Sequence, residues 1–248
     1  MFSYPSPRVE EGKVEGTSSP YPSHRGRSIL RKNCCINQKM LSLLFITILS
    51  YLLGSIPFGI IISRLWKGID IREYGSKNPG ATNVYRVIGT IPALIVLLLD
   101  ISKGLIATLL ISRIIIGQPV LNHTSLMIIV GLVVILGHIF PAFASFKGGK
   151  GVATGLGVLI TFAPLELIFA LLLFLIIVAI TRYVSLGSLS SALFILLALI
   201  FEKYYLHKPV ADELLIAVLV LTVFIFYTHR SNIRRLLNGT ENKFGRKQ

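Results

Sequence analysis

The chain has 248 residues, 53% of them hydrophobic and only 15% charged, with a mean hydropathy of +0.74 and a net charge of +14. A soluble domain carries about 25% charged residues, so this composition excludes an ordinary soluble enzyme, a disordered basic protein and a nucleic-acid-binding domain. Apolar stretches able to cross a bilayer account for the hydropathy, and the charge must lie in the segments that join them.

Residues 1–39 are polar and rich in Ser, Pro and charge, and predict a disordered extension. No apolar core with a small-residue cleavage site marks them as a signal peptide. Cys34 and Cys35 are adjacent, and no Cys/His spacing suggests a metal site, so neither a metal nor a cofactor is expected. The apolar protein starts at Met40, a candidate initiator that leaves a single domain over 40–248.

Six apolar segments follow: 41–63, 91–111, 125–143, 152–180, 186–201 and 214–228. Gly54, Ser55, Pro57 and Gly59 interrupt the first with small residues, as close helix packing requires, and Ser55 is a candidate to face a site. Asp100 and Lys103 lie three apart on one helical face of the second and read as a structural ion pair. His138 ends the third as a packing, capping or catalytic residue. At 29 residues the fourth would reach about 43 Å against a hydrocarbon core of about 30 Å. Pro164 predicts its division into helices over 152–162 and 165–180, the first too short for a comfortable crossing. The expectation is an all-α polytopic membrane protein of seven helices, with six as the alternative.

Charge gives the direction. With the start of the apolar region outside, the inside segments carry fourteen basic residues and the outside ones three, Arg113, Lys203 and Lys208. This predicts an extracytoplasmic N-terminus for the domain and a cytoplasmic C-terminus. The seven basic residues of the first 39 oppose translocation, which favours a start at Met40.

The inside segments hold the chemistry. The first gathers Ser76, Asn78, Thr82, Asn83 and Arg86, with Gly75 and Gly80 permitting close backbone approach; the plainer reading is a connecting loop with a helix cap. The second, from Phe146, has Gly148, Gly149 and Gly151 flanked by Lys147 and Lys150 ahead of a helical segment containing Thr154. Backbone N–H groups at a helix start beside lysine suit phosphate, whereas a flexible basic turn is the plainer alternative. It is not a Walker A loop, because GxxxxGK[ST] is absent. The third contains Arg182, Ser185 and Ser188. The C-terminal segment puts His229 and Asn232 on one helical face and Arg230 and Arg234 on another, with Glu241 beyond. All the anion-binding features thus fall on one side of the membrane, so a phosphate-bearing substrate is expected there and an apolar one from the bilayer.

These motifs resemble those of the bacterial acyl-phosphate-dependent glycerol-3-phosphate acyltransferases. GSxNxGATNxxR is matched from Gly75 to Arg86, KGGKGVAT at 147–154, the third signature from Arg182 to Ser188, HRSNIxRLxxGxE from His229 to Glu241, and GSIPFG at 54–59. The resemblance covers 40–248. It implies a seven-helix enzyme of the bacterial cell membrane (the inner membrane in a Gram-negative cell) with a site facing the cytoplasm. The implied reaction moves an acyl group from acyl phosphate to the 1-hydroxyl of sn-glycerol 3-phosphate, giving lysophosphatidic acid and phosphate. It implies Ser76, Arg86, Lys150, His229 and Asn232 as catalytic. The expected substrate-binding set is Asn78, Gly80, Thr82, Asn83, Lys147, Gly148, Gly149, Gly151, Thr154, Ser185, Ser188 and Glu241.

The expected partners are these two substrates and membrane lipid. The donor is a mixed anhydride that needs charge neutralisation and positioning more than a nucleophile. In the family the substrate's own phosphate takes the hydroxyl proton. Three rivals fit less well. A phosphorylated-solute transporter needs polar residues along the whole path, a Mg²⁺-dependent phosphatidyltransferase needs clustered aspartates, and a scaffold gives no reason for KGGKG.

Overall fold

A computed structural model describes residues 24–114 and 121–245, with residues 24–39 described by backbone alone. The described residues form helices and connecting turns with no strand: α1 (His24–Ser55), α2 (Phe58–Lys67), α3 (Ala81–Val87), α4 (Thr90–Leu109), α5 (His123–Ile139), α6 (Val152–Leu159), α7 (Pro164–Thr181), α8 (Val184–Tyr204), α9 (Asp212–Thr228) and α10 (Arg230–Leu237). Helix α1 already runs through 24–39, where disorder was expected; residues 1–23 lie outside the described residues.

The chain is an all-α polytopic membrane protein. Among the described residues, five helical stretches are long and apolar enough to cross a bilayer, and a sixth is reached if α9 and α10, bent by 58°, count as one span. The count of seven is therefore not met, and six fits better. The shortfall is α6, which at eight residues is about 12 Å long and cannot span a membrane as a helix. The break expected at Pro164 is present, with Pro164 opening α7 at the position where a missing N–H costs nothing.

Pro57, which has no N–H, separates α1 from α2. The carbonyls freed at this break are taken by Lys103 Nζ, which donates to Gly54 O at 3.0 Å and Ile56 O at 3.3 Å. The small residues of this stretch pack as expected. A Cβ on Gly54 would lie 2.2 Å from Val134 O of α5, and one on Gly59 would lie 1.6 Å from Pro79 O. Helices α4 and α6 touch in the same way, since a Cβ on Gly157 would lie 2.0 Å from Ile101 O. By contrast α7, the most apolar span, buries only 6% of its length and packs chiefly on α8.

The helices alternate between two ends of the molecule. At one end Thr228 Oγ1 donates to Lys150 O, Ser185 Oγ to Glu241 Oε1, and Phe244 N to Arg182 O. These bonds gather the starts of α6 and α8 with the finishes of α7 and α9. At the other end Lys208 pairs with Glu202, and Lys203 with Asp212. Glu166, in the first turn of α7, lies beside Glu202.

Candidate active site

The end that gathers α6, α8 and α10 also collects the conspicuous polar residues of the sequence. Lys150 Nζ donates to Asn232 Oδ1. Asn232 Nδ2 donates to Glu241 Oε1 at 2.6 Å, Ser185 Oγ donates to the same oxygen at 2.9 Å, and Arg235 Nε donates to Glu241 Oε2 at 2.7 Å. Ser185 of α8 and Asn232 and Arg235 of α10 thus meet on one carboxylate whose side chain is only 6% exposed, and Lys150 joins it through Asn232. Arg86, on α3, is half-buried and close enough to feel both Glu241 and Arg235. The Tyr85 ring beside it stacks on Phe244 with centroids 4.6 Å apart, which ties α3 to the C-terminal segment.

The electrostatics follow from burial. Lys150 is pushed down to about 8, chiefly by burial; Glu241 pulls the other way, while Arg235 and Arg86 push with it. Burial also lowers Arg86, although guanidinium starts so far above neutrality that it keeps its charge. His229 is buried, and burial followed by the Lys150 charge pushes its imidazole down to about 4. Its Nδ1–H donates to Ile225 O at 2.8 Å, which makes Nε2 the lone-pair nitrogen. Lys150, Arg86 and Arg235 against Glu241 leave two net positive charges, the complement of a phosphate dianion.

The glycine loop before α6 works differently from the expectation. The Gly148 N–H donates to Ile139 O at 3.2 Å and the Gly149 N–H to His138 O at 3.1 Å. These two amides satisfy the end of α5 and are not aimed at a ligand. Gly151, at φ +83°, makes the left-handed turn into α6. The anion-binding donors that remain are the first amides of α6, with Lys150 beside them. Thr154, one turn in, buries a hydroxyl oxygen that has no partner among the described residues. Lys147 is exposed.

The loop from Asp70 to Gly80 is held from within. The Asp70 carboxyl receives the Arg72 side chain (Nε at 3.0 Å, Nη2 at 2.8 Å) and Arg64 Nη2 at 3.0 Å, which holds it well below the usual carboxylate range, the Arg72 hydrogen bond being the largest cause. Asn83 is buried; its Nδ2 donates to Tyr74 O and Ile71 O, and its Oδ1 accepts from Ser76 N at 2.8 Å. A Cβ on Gly75, at φ +57°, would lie 2.4 Å from that Oδ1. Asn78 Oδ1 accepts from Gly80 N at 2.9 Å and Gly80 caps α3. Asn78, Asn83 and Gly80 are thereby engaged in shaping the loop. Ser76 and Thr82 sit half-buried on it. Ser188 Oγ turns back to Val184 O at 3.0 Å, so it joins its own helix rather than the Glu241 cluster.

The structure therefore unites Lys150, Asn232, Ser185 and Glu241, with Arg86 and His229 alongside. Sequence reasoning left Arg235 out of the site, although it is the second arginine of the HRSNIxRLxxGxE match. An open groove of about 320 Å³ lies between α2 and Phe143, lined by Ile56, Pro57, Ile60 and Ile61 with Arg64 and Arg72 at its edge.

The glycerol-3-phosphate acyltransferase family model matches residues 44–239. A glycerol-3-phosphate acyltransferase of Chlorobaculum tepidum is 42% identical over 231 residues, covering 84% of this chain and all of that protein. The enzyme of that name from Bacillus subtilis is 44% identical over 197 residues, 79% of this chain and 94% of its own. Two crystal structures of an integral membrane glycerol 3-phosphate acyltransferase, PlsY, are similar. The glycerol 3-phosphate form has a TM-score of 0.72 at 41% identity, and the lysophosphatidic acid form 0.69 at 40%; each covers 82% of this chain and 96% of the other.

Proposed function

The chain belongs to the glycerol-3-phosphate acyltransferase family, and from that premise we propose how its residues carry the transfer from acyl phosphate to sn-glycerol 3-phosphate. The observation that carries the reading is the Lys150 ammonium, fixed by Asn232 and Glu241 beside the first amides of α6, in a site with two excess positive charges.

The glycerol 1-hydroxyl oxygen attacks the acyl carbon, the bond from that carbon to the phosphate oxygen breaks, and the departing phosphate takes the hydroxyl proton. Acyl phosphate and alcohol become ester and hydrogen phosphate, with no group from the protein consumed. The site's task is to offset the charge on two phosphates and align them. Lys150 and the start of α6 hold the departing phosphate. Arg86 and Arg235 face the phosphate of the acceptor. His229 Nε2 and the Ser76 and Thr82 hydroxyls orient its glycerol. Glu241, Ser185 and Asn232 keep Lys150 in position. The groove along Ile56–Pro57 and Ile60–Ile61 suits an acyl chain.

The cluster faces the cytoplasm in this reading, and the domain starts on the extracytoplasmic side. The excess of basic residues at the cluster end supports it. So does the path of α6, which leaves the Lys150 end and, with the turn at 160–163, delivers the chain to Glu166 at the other. The six long helices and this short one together bring the last span back to the cluster.

The test is an assay of the purified protein with glycerol 3-phosphate and either acyl phosphate or acyl-CoA. Turnover with acyl phosphate alone is expected, and Lys150→Ala should lower it about 100-fold or more. Strict dependence on acyl-CoA, or a normal rate in Lys150→Ala, would overturn the donor or the site respectively.

A further inference from the structure

One buried polar group lies outside the mechanism. Asp100 and Lys103 of α4 are ion-paired at 2.8 Å with their side chains only 3% and 2% exposed, and His138 Nδ1 of α5 lies 3.4 Å from the same Asp100 Oδ1. Burying such a pair is costly unless further bonds satisfy it. Lys103 spends its remaining capacity on the two carbonyls at the α1–α2 break. His138 spends its own on the glycine loop. Its carbonyl accepts the Gly149 N–H, and its ring lies so close that a Cβ on Gly149 would be 2.1 Å from Nε2. The neighbouring Gly148 is equally tight, its Cβ position 2.1 Å from His138 O.

These contacts meet at a junction with almost no free space. A gap of about 10 Å³ separates the α1–α2 break, Pro79 of the first loop, Asp100, His138, Gly148 and Gly149. The His138 ring and the carbonyls of His138 and Ile139 therefore pack directly against the loop ahead of Lys150. The imidazole occupies the room that a side chain at 149 would need, and the carbonyls of His138 and Ile139 with the Pro141 ring occupy that at 148.

We propose that His138, oriented by the Asp100–Lys103 pair, is a positioning residue that holds the 147–151 loop and so the placement of Lys150. This rests on the assignment of Lys150 made above, but part of its test does not. A displacement of about 1 Å at a catalytic group costs on the order of 100-fold in rate, so a buried brace against the residue next to Lys150 controls turnover without touching substrate.

The test combines hydrogen exchange and kinetics on the full chain. In His138→Ala, exchange at the Gly148 and Gly149 amides should rise at least about tenfold while amides in the middle of α5 are unchanged. The turnover number with acyl phosphate should fall about tenfold or more, with KM for glycerol 3-phosphate little changed. Against a Lys150→Ala background the same substitution should cost less than about twofold, because both act through one group. His138→Phe restores ring volume but not the link to Asp100; it should recover the packing only in part, and it is read in place of the alanine variant if that does not accumulate. Unchanged exchange at both glycines, or an equal loss of rate with and without Lys150, would overturn the proposal. Full recovery of both readouts in His138→Phe would overturn the part assigned to Asp100. A normal rate in Lys150→Ala alone would strike the assignment of Lys150 and leave the exchange result to judge the brace.

Discussion

Lys150 carries its charge only while the ammonium keeps its proton, and burial has moved that condition close to physiological pH. With its proton leaving at about 8, transfer by the free enzyme should decline on the alkaline side with a midpoint near that value, read as kcat/KM against pH. Glu241 favours the charged lysine, so Glu241→Gln should move this midpoint to lower pH; movement upward would contradict the arrangement. His229 adds a second dependence. Its folded value, about 4, is below the unfolded value of about 6.5. Its contribution to stability is therefore full above 6.5 and is lost as pH falls to about 4, where it amounts to about 3 kcal/mol. A melting series should show that acid loss reduced in His229→Asn. Much of this residue detail was legible in sequence: Lys150, Asn232, Ser185 and Glu241 were all expected, and they meet. The misreading was Gly148 and Gly149, expected as phosphate donors. Their amides are taken by carbonyls of α5, and nothing in local spacing shows that the end of one helix folds onto the next loop.

Helix α6 has the tightest glycine contact between two helices. Replacing glycine by alanine inside a helix ordinarily favours it by about 1 kcal/mol. At Gly157 the added methyl would meet Ile101 O at 2.0 Å and force α4 and α6 apart, so Gly157→Ala should lower the melting temperature, at an overpacking cost of about 1–3 kcal/mol. Gly155, two residues away, has its nearest neighbour at 3.5 Å, and Gly155→Ala should be neutral or stabilising. Equal behaviour of the two variants would refute the close contact. The division at Pro164 was readable because proline acts locally, but the length of α6 was not. The helix stops at Leu159, three residues before the expected end at 162, as the chain turns through 160–163. Likewise the Asp100–Lys103 pair was visible as a helical spacing, whereas its link to His138 depends on how α4 and α5 cross.

Across the whole molecule, charge divides the two ends. The cluster end is basic, and the other carries the Glu202–Lys208 and Lys203–Asp212 pairs. If the cluster faces the cytoplasm, a cysteine at position 208 should react with an impermeant thiol reagent added to intact cells. One at position 147 should react only after permeabilisation, with Cys34 and Cys35 replaced by serine in both. The reverse pattern would invert the orientation. Hydropathy made the membrane class plain, yet the division at Pro164 did not yield a seventh full-length span, because α6 is short and sheltered against α4 and α5.

The bonds to Glu241 also set an order in time. Lys150 is synthesised before α7, α8 and α9, and all three precede the carboxylate that Ser185, Asn232 and Arg235 share. A nascent chain thus lacks the anchor of its own lysine. Assembly of the working centre awaits the segment that follows α10, so a chain cut short there would be inserted but idle.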